Sequence, residues 1–144
     1  MSPESLFPNL SKTPYRVTSP PDTTYNCFAW VAGESHRWWE AHPDAGHFWP
    51  TGYTTDWSID VVIDAYRTVG YTACHDGSLE HGVEKVAIYV KDGEPTHAAR
   101  QLLGGTWTSK LGAEDDLEHT IDGLTGTEYG APAVFLGRPV SAPS

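Results

Sequence analysis

Cys27 is one of only two cysteines in the 144 residues, and it sits in the stretch "TTYNCFAWVAG", Thr23 to Gly33. Asp22, Thr23 and Thr24 are all good helix N-cap types. The apolar segment behind them, Cys27 to Ala32, is expected to form a short helix that stops before Gly33. Unpaired backbone N–H groups at a helix start favour negative charge and so favour a thiolate. Cys74, between a short strand and an acidic loop, lacks that environment. A thiolate nucleophile also needs a base within hydrogen-bond reach, and the base needs an orienting partner. Of the seven histidines, His36, His42, His47, His75 and His81 lie in loop-like stretches, and His119 is expected on the exposed face of a late helix. His97, in "PTHAA", falls on a strand that reads as buried, where small neighbours leave room for another element. Cys27 and His97 are therefore the expected pair, and their chemistry is acyl transfer through a thioester.

Hairpin register selects the third member. A three-residue loop with Gly105 left-handed pairs Leu102 with Thr106. Gln101 then faces Trp107 and Ala99 faces Ser109, which puts Ser109 and Trp107 on the His97 side. A two-residue loop would place Thr108 and Lys110 there instead, since a one-residue slip turns every side chain over. The first register is favoured, with Ser109 as the residue that orients His97 and Gln101 and Lys110 as rivals. An oxyanion hole would combine the Cys27 N–H with Tyr25 or Asn26. Tyr25, Asn26, Gln101 and Trp107 are the expected substrate contacts, with the aromatic loop Trp38–Trp49 as a cleft wall.

The elements that would position these groups follow from periodicity. Residues 1–22, rich in proline and polar types, read as an extended arm lying over the domain or hanging loose; residues 23–140 read as one domain. In "TDWSIDVVIDAYRTVG", Ile59, Val62, Ile63, Tyr66 and Val69 follow a helical repeat that Gly70 can end. "YTAC" is a short strand. "KVAIYVKDGEPTHAARQLL" is a hairpin turned at Asp92-Gly93. "TWTSK" is a further strand. "EDDLEHTIDGL" spaces Leu117, Ile121 and Leu124 as a second amphipathic helix, and "APAVFLG" is a closing strand. Helices first and a mostly antiparallel sheet after them is an α+β arrangement.

Composition narrows the class. The formal charge is −10, with 19 acidic against 9 basic residues. That argues against general binding to a nucleic-acid backbone and against attraction to an anionic membrane surface. Neither a secretion signal nor a membrane-length apolar run is visible, so a cytoplasmic location is the default expectation. Zinc spacings such as Cys-x2-Cys and His-x3-His are missing, as is a phosphate loop, so neither metal nor cofactor is expected.

Cysteine on an early helix and histidine on a later strand of an antiparallel sheet is the order of the papain-like superfamily. "YNCFAWV" resembles the nucleophile motif of its bacterial cell-wall peptidase branch, the NlpC type. The blocks "YNCFAW", "EKVAIY", "PTHAARQ" and "WTSKLG" also resemble a group of small uncharacterised bacterial proteins, over Tyr25 to about Leu136. The resemblance implies a papain-like α+β fold, with N-terminal helices carrying Cys27 packed on the sheet carrying His97. It implies an amidase or peptidase acting on a peptide or protein amide; a transferase or glutamine deamidase would use the same pair. One departure stands out. Cell-wall enzymes carry their histidine at the start of a strand reading "HVAIY", and that position is Lys85 here. The plainer reading is a non-catalytic protein-binding module with an ordinary buried cysteine and a core histidine.

Overall fold

The run Val86–Tyr89 is apolar at every position, which suits a strand covered on both faces. In the computed structural model it is the middle of β3 (Val83–Lys91), flanked by β4 (Glu94–Gln101) on one side and β7 (Ala131–Pro139) on the other. Val86, Ala87, Ile88 and Tyr89 are fully buried. The structure describes residues 7–11, 13–19, 27–28, 39–40, 49–52, 54, 57–74, 76–102, 104–110, 116–126 and 128–139. β1 (Tyr15–Ser19), β2 (Thr72–Cys74), β5 (Trp107–Lys110) and β6 (Asp116–His119) complete one seven-stranded sheet in the order β1-β6-β5-β4-β3-β7-β2. Every neighbouring pair is antiparallel.

Two turns set the registers that matter. Asp92 and Gly93 both have positive φ, 52° and 81°, the requirement of a type I′ hairpin turn between β3 and β4. After β4, the Leu102 N–H donates to the Thr106 carbonyl at 2.7 Å and the Gly105 N–H to the Leu102 carbonyl at 2.9 Å. Gly105 has φ +95°, a conformation that favours glycine. Gln101 therefore faces Trp107 and Arg100 faces Thr108, the three-residue-loop register.

The architecture corrects the α+β papain-like expectation. Antiparallel sheet dominates the described residues. They contain one bounded α-helix, α1 (Ile59–Arg67), besides the two helical residues 27 and 28. Ser58 caps α1 by accepting from the Val61 N–H at 3.4 Å, and Gly70 lies beyond its end at φ +96°. The second helix expected at "EDDLEHTIDGL" is instead β6 followed by a 3-10 turn, Ile121–Leu124. Leu117 and His119 fit a repeat of two as well as Leu117 and Ile121 fit a helix. Pairing with β1 on one side and β5 on the other favours the strand. The described residues of the expected N-terminal arm join the domain. β1 is a sheet strand, and Phe7 and Leu10 are buried at 2% and 1% exposure. The expected closing strand is interior, between β3 and β2.

Each face of the sheet carries its own core. On one, Val62, Ala65 and Tyr66 of α1 pack with Phe28, Trp39 and Trp49 against Val86, Ile88, Ala98 and Leu136. On the other, Phe7, Leu10 and Leu124 cover Ala87, Tyr89, Ala99, Trp107 and Leu117. Full burial of a large apolar side chain contributes roughly 1.5–3 kcal/mol. Trp39 and Trp49 are spent on this core rather than on a cleft wall; Trp38 lies outside the described residues. Tyr66 also donates its hydroxyl to the Phe28 carbonyl at 2.8 Å, tying the cysteine segment to α1. Tyr66→Phe leaves that carbonyl buried without its partner. It should lower unfolding free energy by about 1–2 kcal/mol, read as a lower urea midpoint at unchanged slope.

Candidate functional site

Cys27 is buried at 7% exposure in the cluster that holds Ala98, Phe28 and Tyr66. Burial raises its thiol pKa to about 11; the backbone groups of Ala98, Phe28 and Cys27 itself and the Lys110 charge pull it down, but by less. The residues before Cys27, where the helix start is expected, lie outside the described residues; at Cys27 itself desolvation outweighs the backbone groups around it. The thiol is protonated and neutral near pH 7. Both cysteines are free, and Cys74 points its sulfur at the Asp76 carbonyl, 3.5 Å away.

His97 follows Thr96 and precedes Ala98 on β4. Its side chain turns to the opposite face, opposite Tyr89 in register. It is fully buried, and among the described residues neither ring nitrogen has a hydrogen-bond partner. Desolvation, with the His119 charge second, holds its pKa well below the usual histidine value, so it is neutral. Its ring lies flat on Tyr129, with centroids 4.2 Å apart and planes 2° apart, and meets Tyr89 edge-on at 5.5 Å. Cys27 thus meets β4 at Ala98, the neighbour of His97, on the opposite face from the ring. The expected Cys27–His97 hydrogen bond is not formed.

Ser109 takes the predicted face, yet it does not orient His97. It donates to His119 Nε2 at 2.7 Å, while His119 Nδ1 lies 2.6 Å from the Thr120 carbonyl. A carbonyl only accepts, so Nδ1 carries the proton and Nε2 accepts from Ser109. Both residues are buried, and His119, expected on an exposed helix face, has its pKa lowered to about 4, chiefly by desolvation. Gln101 donates to the Gly77 carbonyl at 2.8 Å and Trp107 packs on Phe135, and neither hydrogen-bonds His97. Lys110, on the face opposite Ser109, is the cation that acts on Cys27. Tyr25 and Asn26 lie outside the described residues. Lys85, at the position where cell-wall enzymes carry histidine, bonds Glu80 at 2.7 Å and the Asp76 carbonyl at 3.0 Å and neighbours Cys74.

Sequence reasoning missed Tyr129 and His119. The signal for Tyr129 was the pair of glycines around it, Gly126 and Gly130; for His119 it was the alternation in "DLEH". A surface cavity of about 440 Å³ lies at the far end of β4, where Arg100, Gln101 and Leu102 meet Leu79–Glu84. One of about 240 Å³ is lined by Tyr15, Arg16, Thr106 and His119. Neither borders Cys27 or His97. Among the described residues, no three His, Cys, Asp or Glu side chains are grouped to hold a metal ion, and no helix is long and apolar enough to cross a membrane.

A model of the domain family of unknown function DUF7689 matches residues 16–137. The chain belongs to that family. The matched span runs from β1 into β7 and includes Cys27, His97 and Tyr129. Neither the curated proteins nor the solved structures give a match.

The two buried histidines make stability pH-dependent. The unfolded chain takes up their protons near the ordinary value of 6.5, whereas folded His119 resists to about 4. Stability is therefore full above pH 6.5 and falls as the pH drops. For His119 alone the loss approaches about 3 kcal/mol by pH 4. Urea unfolding at pH 7, 5.5 and 4.5 should show this slope, and His119→Gln should reduce it, leaving the part due to His97.

Proposed function

We propose that this domain is a thiol-dependent acyl-transfer enzyme, of amidase or peptidase type, with Cys27 as nucleophile and His97 as base. One observation carries the reading. A fully buried imidazole with both nitrogens unpartnered sits beside the strand residue whose backbone faces a sulfur at a helical position. An imidazole left unbonded in a core is costly, and nucleophile sites are where such a cost is met by function. The resting pair is neutral, thiol and imidazole, rather than an ion pair. Catalysis then requires a rearrangement of the Cys27 segment as substrate binds, because at rest the sulfur lies on the Ala98 face of β4 and the ring on the other.

In the first step the Cys27 S–H proton passes to His97 as sulfur bonds to the carbonyl carbon and the C=O π pair moves to oxygen. Backbone N–H groups around Cys27 suit that oxyanion. The intermediate collapses, the C–N bond breaks, and the amine leaves with the proton from His97. Water then gives a proton to His97, adds to the thioester and releases the acid, and the proton returns to sulfur. The substrate class is a peptide or protein amide. The cell-wall peptide suggested by the nucleophile motif is one member, and an amine in place of water makes the same steps a transferase.

A second reading has its own support. The raised thiol pKa and the missing sulfur–imidazole bond suit a non-catalytic protein-binding module. Peptidyl chloromethyl ketones of varied sequence separate the two, with intact-mass readout. The enzyme reading expects one adduct on Cys27, formed at least about 100-fold faster than with free cysteine and slowed about 100-fold or more in His97→Ala. Iodoacetamide, which brings no binding energy, should label resting Cys27 more slowly than a free thiol at pH 7. A peptidyl probe that does no better, in wild type and His97→Ala alike, leaves the binding module standing.

A further inference from the structure

Resting on the Cys27–His97 reading, we infer that Tyr129 is the positioning residue of His97, fixing the plane of the imidazole by stacking where other sites use a hydrogen bond. A histidine base works only if its ring is held in one orientation, normally by a partner on its second nitrogen. His97 has none. The face of Tyr129 supplies the restraint: with centroids 4.2 Å apart and planes 2° apart, rotation of the imidazole about Cβ–Cγ drives its edge into the phenol ring. Tyr89, edge-on at 5.5 Å, bounds the ring from another direction.

The loop that carries Tyr129 is itself pinned. Gly126 and Gly130 exchange two backbone hydrogen bonds, each 2.9 Å, which close the loop at its base. Gly130 has φ +78°, and a Cβ there would run into the Val90 carbonyl of β3. Thr96 donates its hydroxyl to the Tyr129 carbonyl at 2.5 Å, and Thr96 is the residue before His97. Phe7 packs on Tyr129 at 5.0 Å between centroids. Backbone and ring of the base are thus registered to the same loop. Burial raises the Tyr129 hydroxyl pKa well above its ordinary value, so the phenol stays neutral against the imidazole.

The test compares Tyr129→Phe, which keeps the stack, with Tyr129→Leu, which removes it, and with Thr96→Val, which unpins the loop. Two readouts are used: the His97 pKa by imidazole NMR, and the pH profile of Cys27 modification by the best peptidyl chloromethyl ketone. Tyr129→Phe should stay within about 3-fold of wild type, Thr96→Val should lose about 3- to 10-fold, and Tyr129→Leu about 30-fold or more. In Tyr129→Leu the His97 pKa should also rise toward 6.5, with the profile drifting to that of an unassisted thiol. If Tyr129→Leu fails to fold, the graded effects of the other two variants decide. Wild-type rate and profile in Tyr129→Leu, or in Thr96→Val when Tyr129→Leu does not fold, overturn the inference, as does a loss in Tyr129→Phe of the size expected for Tyr129→Leu. Failure of the pair reading looks different. His97→Ala then leaves Cys27 modification unchanged, while the NMR titration still reports whether Tyr129 holds the ring.

Discussion

Successive side chains on a strand leave on opposite faces, and at residues 97 and 98 of β4 that alternation sets the geometry of the site. Ala98 belongs to the α1 side and His97 to the other. A cysteine segment packed with Phe28 and Tyr66 on the α1 side therefore meets the strand at Ala98, the histidine's neighbour. Because β3 is covered on both faces, neither core can slide to bring the two groups into line without disturbing the other. At rest the sheet therefore keeps sulfur and imidazole apart, and joining them takes a rearrangement of the cysteine segment rather than a slide of either core.

Burial rather than charge controls the chemistry at this junction. Backbone groups around Cys27, Ala98 first, favour a thiolate, but in a buried site the desolvation of a thiolate is the larger effect. The same holds for His97 and His119, both driven to their neutral forms. Two histidines on one face of a sheet reach opposite ends by this route. His119 satisfies both nitrogens, with Ser109 and Thr120, and so serves the core. His97 satisfies neither and is held by aromatic faces alone. An acidic chain with little free positive charge suits this economy of buried neutral groups, and Lys85 and Lys110 enter the interior only as paired or locally useful cations.

Much of the sheet was legible because its signals are local. Asp92-Gly93 needs only its own backbone preferences to turn β3 into β4, and the two glycines after Leu103 set the β4–β5 register from which the face of Ser109 followed. The helix at 59–67 was legible from its repeat. "EDDLEHTIDGL" was misread because its apolar residues satisfy two periods, and the strands on either side of it choose between them. That choice carried His119 from an expected surface into the core, next to the serine that had been assigned to His97.

Local chemistry in the chain determined which groups this domain brings to the sheet: a cysteine behind capping residues, a histidine among small residues, and glycines that turn and pin the loops. Those preferences act over a few residues and need no partner. Contacts between distant segments decided which face each group uses, that desolvation outweighs the backbone groups at Cys27, and that a tyrosine from a glycine-closed loop lies on the histidine. Such outcomes depend on what packs against what, and a one-dimensional chain does not carry that until it has folded.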